Sequence, residues 1–464
     1  MNPNDTIAAI ATPPGEGGVG VIRISGPEAV AVASRFFRAA DGVALEAQGL
    51  RVMALGNWVD PKGSGRVLDE VLCVRFKAPH SFTGEDVVEV HAHGGAFHLR
   101  SLLAGLLKEG LRLARPGEFS QRAFVNGRMD LTKAEAVADL IRSSTELARD
   151  AAARQLAGGL FDKVEALRLS LLDLSARTEA AVDFPEEEAQ MIPTPEMLGL
   201  LRETRDEVRA MLSTARSGRL LASGIRVVLV GAPNAGKSSL MNALLQAERS
   251  IVTAQPGTTR DYIEERFSIE GFPVILTDTA GLREAADEAE AEGVLRARAR
   301  MKDADVVLML VDPTAPYHAA DLTRFEKDLS GALLWVLSKK DLEPAWEISA
   351  FQKNLSGATL LHVSSKTGEG LEALKQAVLD KALGGGALNL LDSVALTSSR
   401  HEEAMRAVEA ALSHAEATLQ RADFSAELLA PDLRDALDHL GEIVGKTSRE
   451  DVLNAIFSKF CIGK

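Results

Sequence analysis

The stretch GAPNAGKSS, residues 231–239, constrains this chain more than any other. Gly231, Gly236, Lys237 and Ser238 fit G-x-x-x-x-G-K-[ST], a loop whose backbone N–H groups cradle phosphate oxygens at a helix N-terminus. Such a loop works only between a strand and a helix, and the flanking runs IRVVLV and SSLMNALLQ predict both. Lys237 is expected to reach the β and γ phosphates, and the Ser238 hydroxyl to ligate Mg²⁺. About half of the chain precedes the loop, so the bound nucleotide is expected to act on other domains.

The rest of the chain supports that division. Length, 464 residues, suits roughly three domains. Residues 1–125 mix strand-like runs (VGVIRIS, DEVLCVRF) with a helix, LRSLLAGLLKEG, that ends at Gly110. From about residue 130 the texture turns Ala- and Leu-rich at helical spacing, with Thr132 and Glu135 fitting a capping box. Residues 219–384 alternate apolar runs with helical segments: IRVVLV, FPVILTD, DVVLMLVD, ALLWVLSKKD and ATLLHVSS. That pattern predicts a buried parallel sheet covered on both faces. After a linker candidate at GGGALNL, helical periodicity returns. The expected domains are 1–125, 126–218, 219–384 and 385–464, with the second and fourth forming one helical domain into which the third is inserted. A net charge of −14 excludes non-specific coating of nucleic acid, so RNA contact would need a local basic patch or a basic partner. Two cysteines, Cys73 and Cys461, imply no disulfide framework and suit a reducing cytoplasm. No signal peptide or spanning helix is expected.

Within the nucleotide module, Asp278-Thr279-Ala280-Gly281 closes the strand FPVILTD, placing a carboxylate for the magnesium shell and a glycine amide for the γ-phosphate. Between these motifs lies PGTTRD, where a threonine of a switch loop ligates magnesium; Thr259 is favoured over Thr258. SKKD, residues 338–341, stands where N-K-x-D selects guanine. Asp341 accepts from N1 and the exocyclic amine, a donor pair adenine lacks, and Lys339 covers the ring. Ser338 replaces the usual Asn with a shorter group, which is expected to weaken the guanine contact. Ser364, Ser365 and Lys366 form a loop toward the base carbonyl. Leu282 occupies the place of the water-orienting glutamine of Ras-like proteins, so hydrolysis must borrow a polar group; Arg283, Glu284 and Glu290 follow.

Together with DTIAAIATPPGEGGVGVIRISG, SFTGEDVVEVHAHGG, RPGEFSQRAFVNGRMDLTKAEAVADLI, EAAVDFPEEE and the terminal FCIGK, these motifs make the whole chain resemble the bacterial and organellar tRNA uridine-modifying GTPase family MnmE (TrmE). The resemblance implies a multidomain α/β plus all-α fold: an N-terminal α+β tetrahydrofolate-binding and dimerisation domain, a helical domain, and an inserted Ras-like P-loop GTPase domain. It implies a cytoplasmic, potassium-dependent GTP hydrolase. With a flavin-dependent MnmG (GidA) partner in a heterotetramer, such an enzyme adds an aminomethyl-type or carboxymethylaminomethyl group at C5 of the tRNA wobble uridine. Carried over by position, the nucleotide contacts fall on Asn234, Ala235, Gly236, Lys237, Ser238, Ser239, Thr253, Ala254, Gln255, Pro256, Gly257, Thr258, Thr259, Asp278, Thr279, Ala280, Gly281, Ser338, Lys339, Asp341, Ser364, Ser365 and Lys366. The implied potassium ligands are Asn234, Thr253, Gln255 and Thr258, the catalytic set Asn234, Lys237 and Glu290, and the magnesium ligands Ser238 and Thr259. Contacts to a 5-formyl-tetrahydrofolate-type carrier fall on Arg23, Glu89, Arg128 and Lys464, with a modification role for Cys461. A regulatory GTPase switch in ribosome or RNA assembly is the alternative, and the helical C-terminal end argues against its usual RNA-binding module.

Other residues read blandly by composition. Arg23 at a strand end suits a surface cation. Leu453, Ile456, Phe457 and Phe460 form a packing stripe beside Cys461, Cys73 suits buried packing, and His91 and His93 suit turn or core roles rather than a metal pair.

Overall fold

The computed structural model describes residues 5–63, 65–184, 194–248, 264–278, 301–316, 332–355, 359–384, 396–421, 424–447 and 450–464. The chain divides into two compact units, residues 1–138 with 438–464, and residues 139–437.

The first unit is built on a seven-stranded sheet. Its strands are β1 (Ile7–Ile10), β2 (Gly17–Ser25), β3 (Phe37–Ala39), β4 (Ala54–Val59), β5 (Val67–Phe76), β6 (Val87–Gly94) and β7 (Arg112–Leu113). They lie in the order β3-β4-β5-β6-β2-β1-β7. Side chains alternate along each strand. Ile22 and Ile24 of β2 and Val88, Val90 and Ala92 of β6 enter a core shared with the helices Ala29–Phe36 and Ala96–Lys108. Cys73 belongs to that core, and burial pushes its thiol pKa well up. The residues between, Arg23, Glu89 and His91, therefore belong to the opposite face.

The C-terminal residues belong to this unit. Phe457 and Phe460 are buried with Leu131 and Ala134, and Leu453 and Ile456 pack beside them, as the helical stripe predicts. Two glycines let the tail approach. A Cβ on Gly117, at φ +69°, would lie 2.3 Å from the Phe457 carbonyl oxygen, and one on Gly463, at φ +97°, 2.3 Å from that of Ile10. One local expectation is corrected. The helix Leu131–Arg142 already contains Thr132, so the capping box does not form there. Asp130 Oδ1 instead accepts from the Lys133 N–H at 3.0 Å and from the Thr132 hydroxyl.

The second unit holds the predicted parallel sheet. Its strands are β8 (Ile225–Gly231), β9 (Glu264–Ile269), β10 (Phe272–Asp278), β11 (Val306–Val311), β12 (Ala332–Leu337) and β13 (Leu360–His362), in the order β13-β12-β11-β8-β10-β9. All pairings are parallel except β9 with β10, a hairpin turned at Glu270 and Gly271, both at positive φ. Every residue of β11 is buried, as expected of a strand covered on both faces. The helices Glu146–Leu156 and Ala215–Ser223 contribute Ala151, Leu220 and Leu221 to the sheet's core. Elsewhere in the unit the helices Thr194–Ser213 and Ser399–Leu419 are tied by Arg202 and Arg205 to Glu416 and by Arg209 to Glu409.

In the first unit a charge network centred on the buried Glu118 and Arg122 anchors the helix Glu118–Val125. Glu118 is fully buried and accepts from Arg112 at 2.5 and 3.0 Å and from the Arg115 N–H at 2.8 Å, while Arg122 pairs with Asp5 and Glu85. Burial alone would raise the Glu118 pKa, but the Arg112 bonds and the Arg115 N–H outweigh it and hold it at about 2, below its usual 4.5. A depressed carboxylate pKa stabilises the fold fully above 4.5, and that contribution is lost as pH falls toward 2. The span corresponds to roughly 3 kcal/mol. Glu118→Gln is expected to destabilise this helix by about that amount at pH 7 and to flatten its pH dependence below 4.5; hydrogen exchange of residues 118–125 measures both.

Candidate nucleotide site and N-terminal pocket

The parallel strands deliver the nucleotide motifs to one edge of the sheet. β8 ends at Gly231, where a Cβ would lie 2.5 Å from the Leu310 carbonyl oxygen of neighbouring β11. The loop then uses left-handed backbone at Asn234, φ +61°, and Gly236, φ +94°, before the helix Lys237–Glu248 begins. Asn is one of the few side chains that tolerate that conformation, and here it is exposed. Ala235 is buried beneath it and Ser239 is exposed. The buried Lys237 donates from Nζ to the Gly231 and Ala232 carbonyls at 2.9 and 2.8 Å. Ser238 donates from Oγ to Asp278 Oδ2 at 3.0 Å, joining the helix start to the end of β10. This hydroxyl–carboxylate pair consists of hard oxygen donors, the kind magnesium takes.

The residues expected to select the base follow the ends of β12 and β13. Ser338 is buried and donates to the Val311 carbonyl at 3.3 Å; its Cβ lies 3.6 Å from where a Cβ on Gly236 would be. Lys339, at φ +54°, pairs with Asp312 Oδ2 at 2.5 Å. Burial would raise the Asp312 pKa, but Lys339 and Thr314 hold it below the usual value. Asp341 is exposed and accepts from Ser364 Oγ at 2.7 Å. That bond, with the Asp341 backbone N–H and the nearby Lys366, lowers its pKa and keeps it an acceptor. Ser364 is fully buried, Ser365 half-buried and Lys366 exposed. The proposed contacts at Thr253, Ala254, Gln255, Pro256, Gly257, Thr258, Thr259, Thr279, Ala280, Gly281 and Glu290 lie outside the described residues, as does Leu282.

In the first unit, the antiparallel register sets Arg23 opposite Glu89 and Val21 opposite His91. Arg23 Nε and Nη2 both reach Glu89 Oε1 at 2.8 Å. Its guanidinium lies 5.0 Å from the Phe82 ring centroid and 5.7 Å from that of Phe119. Arg23 is thus a half-buried, stacked cation rather than the surface cation its composition suggests. Lys464 is half-buried; burial first, then the charge of Arg23, lowers its pKa against the opposing pull of Glu89 and Cys461. Its carbonyl accepts from the Phe119 N–H at 3.2 Å. Arg128 donates to the Ser81 carbonyl at 3.1 Å, one residue from Phe82. Cys461 is exposed. Arg23, Glu89 and Lys464 are therefore brought together, with Arg128 on the adjoining loop. Arg23 Nη1, Ser81 Oγ, Ser120 Oγ and His91 Nε2 are buried without a hydrogen-bond partner among the described residues. Unsatisfied buried polar atoms such as Arg23 Nη1 and His91 Nε2 are what a polar ligand would satisfy.

His91 and His93 do not form a metal pair. His93 Nδ1 lies 2.6 Å and His98 Nε2 2.9 Å from the two Asp69 oxygens. Among the described residues no group of three or more His, Cys, Asp or Glu is placed to hold a metal ion. No described helix is long and apolar enough to cross a membrane.

Residues 6–128 match the family model "GTP-binding protein TrmE N-terminus" and residues 131–461 match "MnmE helical domain". The chain is 43% identical to the tRNA modification GTPase MnmE of Moorella thermoacetica, covering 99% of this chain and 100% of that one. It is 44% identical to the protein of the same name from Symbiobacterium thermophilum, covering 99% of each. The chain belongs to the MnmE family of tRNA modification GTPases. Over 34% of its length it also matches the G domain of the T. maritima FeoB iron transporter, at 28% identity and a TM-score of 0.27.

Two groups escaped sequence reasoning. Asp312 was a strand-end residue with no assigned role, and Phe82 and Phe119 lie far from Arg23 in the chain; the recurring signal for the rings is only their place beside the S-F-T-G and P-G-E-F turns. Asp341→Asn removes the carboxylate that the SKKD pattern assigns as acceptor for two guanine donors. GDP affinity is expected to fall by about 100-fold or more while XDP, whose 2-oxo group accepts from the new amide, gains affinity. Competition titrations with the two nucleotides check this.

Proposed function

We propose that this chain is a magnesium- and potassium-dependent GTPase whose cycle drives modification of C5 of the tRNA wobble uridine, acting as a homodimer with a flavin-dependent partner and a reduced one-carbon folate. Membership of the MnmE family supports the GTPase and tRNA-modification parts of this reading. One observation carries the nucleotide chemistry: the Ser238 hydroxyl and the Asp278 carboxylate meet at 3.0 Å beside the buried Lys237.

Phosphate oxygens would replace the Gly231 and Ala232 carbonyls as acceptors for Lys237 Nζ and receive the N–H groups of the loop. Ser238 and Thr259 would hold magnesium, with Asp278 behind them. Asn234, exposed at the left-handed turn, would hold potassium with Thr253, Gln255 and Thr258; when bound, that cation supplies positive charge near the transferring phosphoryl, where an arginine finger otherwise would. Glu290 orients the attacking water indirectly, replacing the glutamine that Leu282 lacks. Asp341 and Lys339 select guanine, with Ser364, Ser365 and Lys366 closing the base site.

The N-terminal pocket fits a folate: Arg23 Nη1 offers a buried donor, Glu89 an acceptor, and Phe82 and Phe119 flat apolar surfaces. Arg128 and Lys464 add cations toward its anionic parts, and the exposed Cys461 lies in the tail that ends there. A bound 5-formyl-tetrahydrofolate would supply the one-carbon unit. The −14 charge is consistent with the partner carrying much of the tRNA contact in the cytoplasm.

GTP hydrolysis is expected to be about tenfold or more faster in KCl than in NaCl at equal ionic strength, and equal rates reject the potassium site. Glu290→Ala is expected to retain GTP binding and lose hydrolysis by about 100-fold; an unchanged rate moves the catalytic role to another residue.

A further inference from the structure

The three histidines around β6 differ in one respect. His93 and His98 each direct a ring nitrogen to Asp69, at 2.6 and 2.9 Å, and so have the partner a structural histidine normally has. His91 does not. Its Nε2 is buried and has no hydrogen-bond partner among the described residues; the closest carboxylate oxygen, Glu89 Oε2, is 3.7 Å away, beyond hydrogen-bond reach. His91 lies two residues from Glu89 on the same face of β6, and its cross-strand partner, Val21, is two residues from Arg23. Arg23 Nη1 is likewise buried and unpartnered, because Nε and Nη2 are both committed to Glu89 Oε1. Two desolvated polar atoms on neighbouring rungs of one ladder cost stability unless something hydrogen-bonds them.

We propose that His91 is a ligand-binding residue of the N-terminal pocket, its Nε2 hydrogen-bonding the bound molecule beside the Arg23–Glu89 pair. The inference rests on the folate reading given above. The ladder then offers a donor at Arg23 Nη1, an acceptor at Glu89 Oε2 and an imidazole nitrogen at His91. That sequence suits the edge of a flat heterocycle that carries a carbonyl and N–H groups together. An exclusively apolar or exclusively anionic ligand would leave Glu89 Oε2 or His91 Nε2 unsatisfied. Glu89 Oε2, which only accepts, thereby discriminates such a heterocycle from a simple anion, and His91 adds a further hydrogen bond to its edge.

The test titrates 5-formyl-tetrahydrofolate into the full-length protein by calorimetry, using wild type, His91→Leu, His91→Gln and Arg23→Met. His91→Leu is expected to bind at least tenfold more weakly. His91→Gln, whose amide nitrogen reaches about as far as Nε2, is expected to stay within threefold of wild type. Circular dichroism spectra like that of the wild type and a single cooperative thermal transition in each variant exclude misfolding. Wild-type affinity in His91→Leu with binding lost in Arg23→Met overturns the inference and leaves the pocket standing. Equal weakening of His91→Leu and His91→Gln also overturns it. No binding by the wild type removes the folate reading, and this inference with it.

Discussion

The burial of β8 between two parallel neighbours decides where the described groups of the candidate nucleotide site lie. With β10 on one side and β11 on the other, the strand has no free edge, and its end must open at the carboxyl side of the sheet. Gly231 is needed at that point because the Leu310 carbonyl leaves no room for a side chain. The same edge receives Asp278 from β10 and Ser338 from β12, so the groups proposed to meet phosphate, cation and base share one edge as a consequence of one parallel register. Hydrogen bonds then finish the arrangement: Ser238 to Asp278, Lys339 to Asp312 and Asp341 to Ser364.

A different constraint shapes the first unit. Its candidate site joins residues from β2, β6 and the last residue of the chain, and the tail reaches it only because Gly117 and Gly463 permit backbone contact that any Cβ would block. The Arg112–Glu118–Arg122–Asp5–Glu85 network holds the helix that carries Phe119, whose ring faces Arg23. Charge pairing around the buried Glu118 and Arg122 thereby fixes the ring that lies beside Arg23. Such a network is stable only when its buried charges are paired, and, against the opposing effect of burial, the arginines hold the Asp5 and Glu118 carboxyls below their usual pKa values.

The parallel strands of the second unit were legible in the sequence because fully buried strands are continuous apolar runs. β9 was not: Glu264, Glu265 and Arg266 are exposed on an edge strand, and only the Glu270-Gly271 turn hinted at a hairpin. The phosphate loop and SKKD could be placed on elements directly, since their spacing is local. Arg23 could not, because its meaning depends on a cross-strand pairing with Glu89, 66 positions away, and on two rings from separate turns. Thr132 shows the limit of motif spacing: it satisfies the capping pattern, yet Asp130 lies two residues earlier and takes the role. For His91 the sequence suggests a core or turn role, and its place on β6 with an unpaired ring nitrogen has no signature in sequence.

The central claim is that nucleotide turnover in the second unit drives wobble-uridine modification. It is tested most directly by mass spectrometry of tRNA wobble nucleosides from cells lacking this protein and complemented with wild type or with Lys237→Ala. The account predicts C5-modified uridine with wild type, and unmodified uridine both without complementation and with Lys237→Ala. Full modification in the uncomplemented cells, or its restoration by Lys237→Ala, would contradict it.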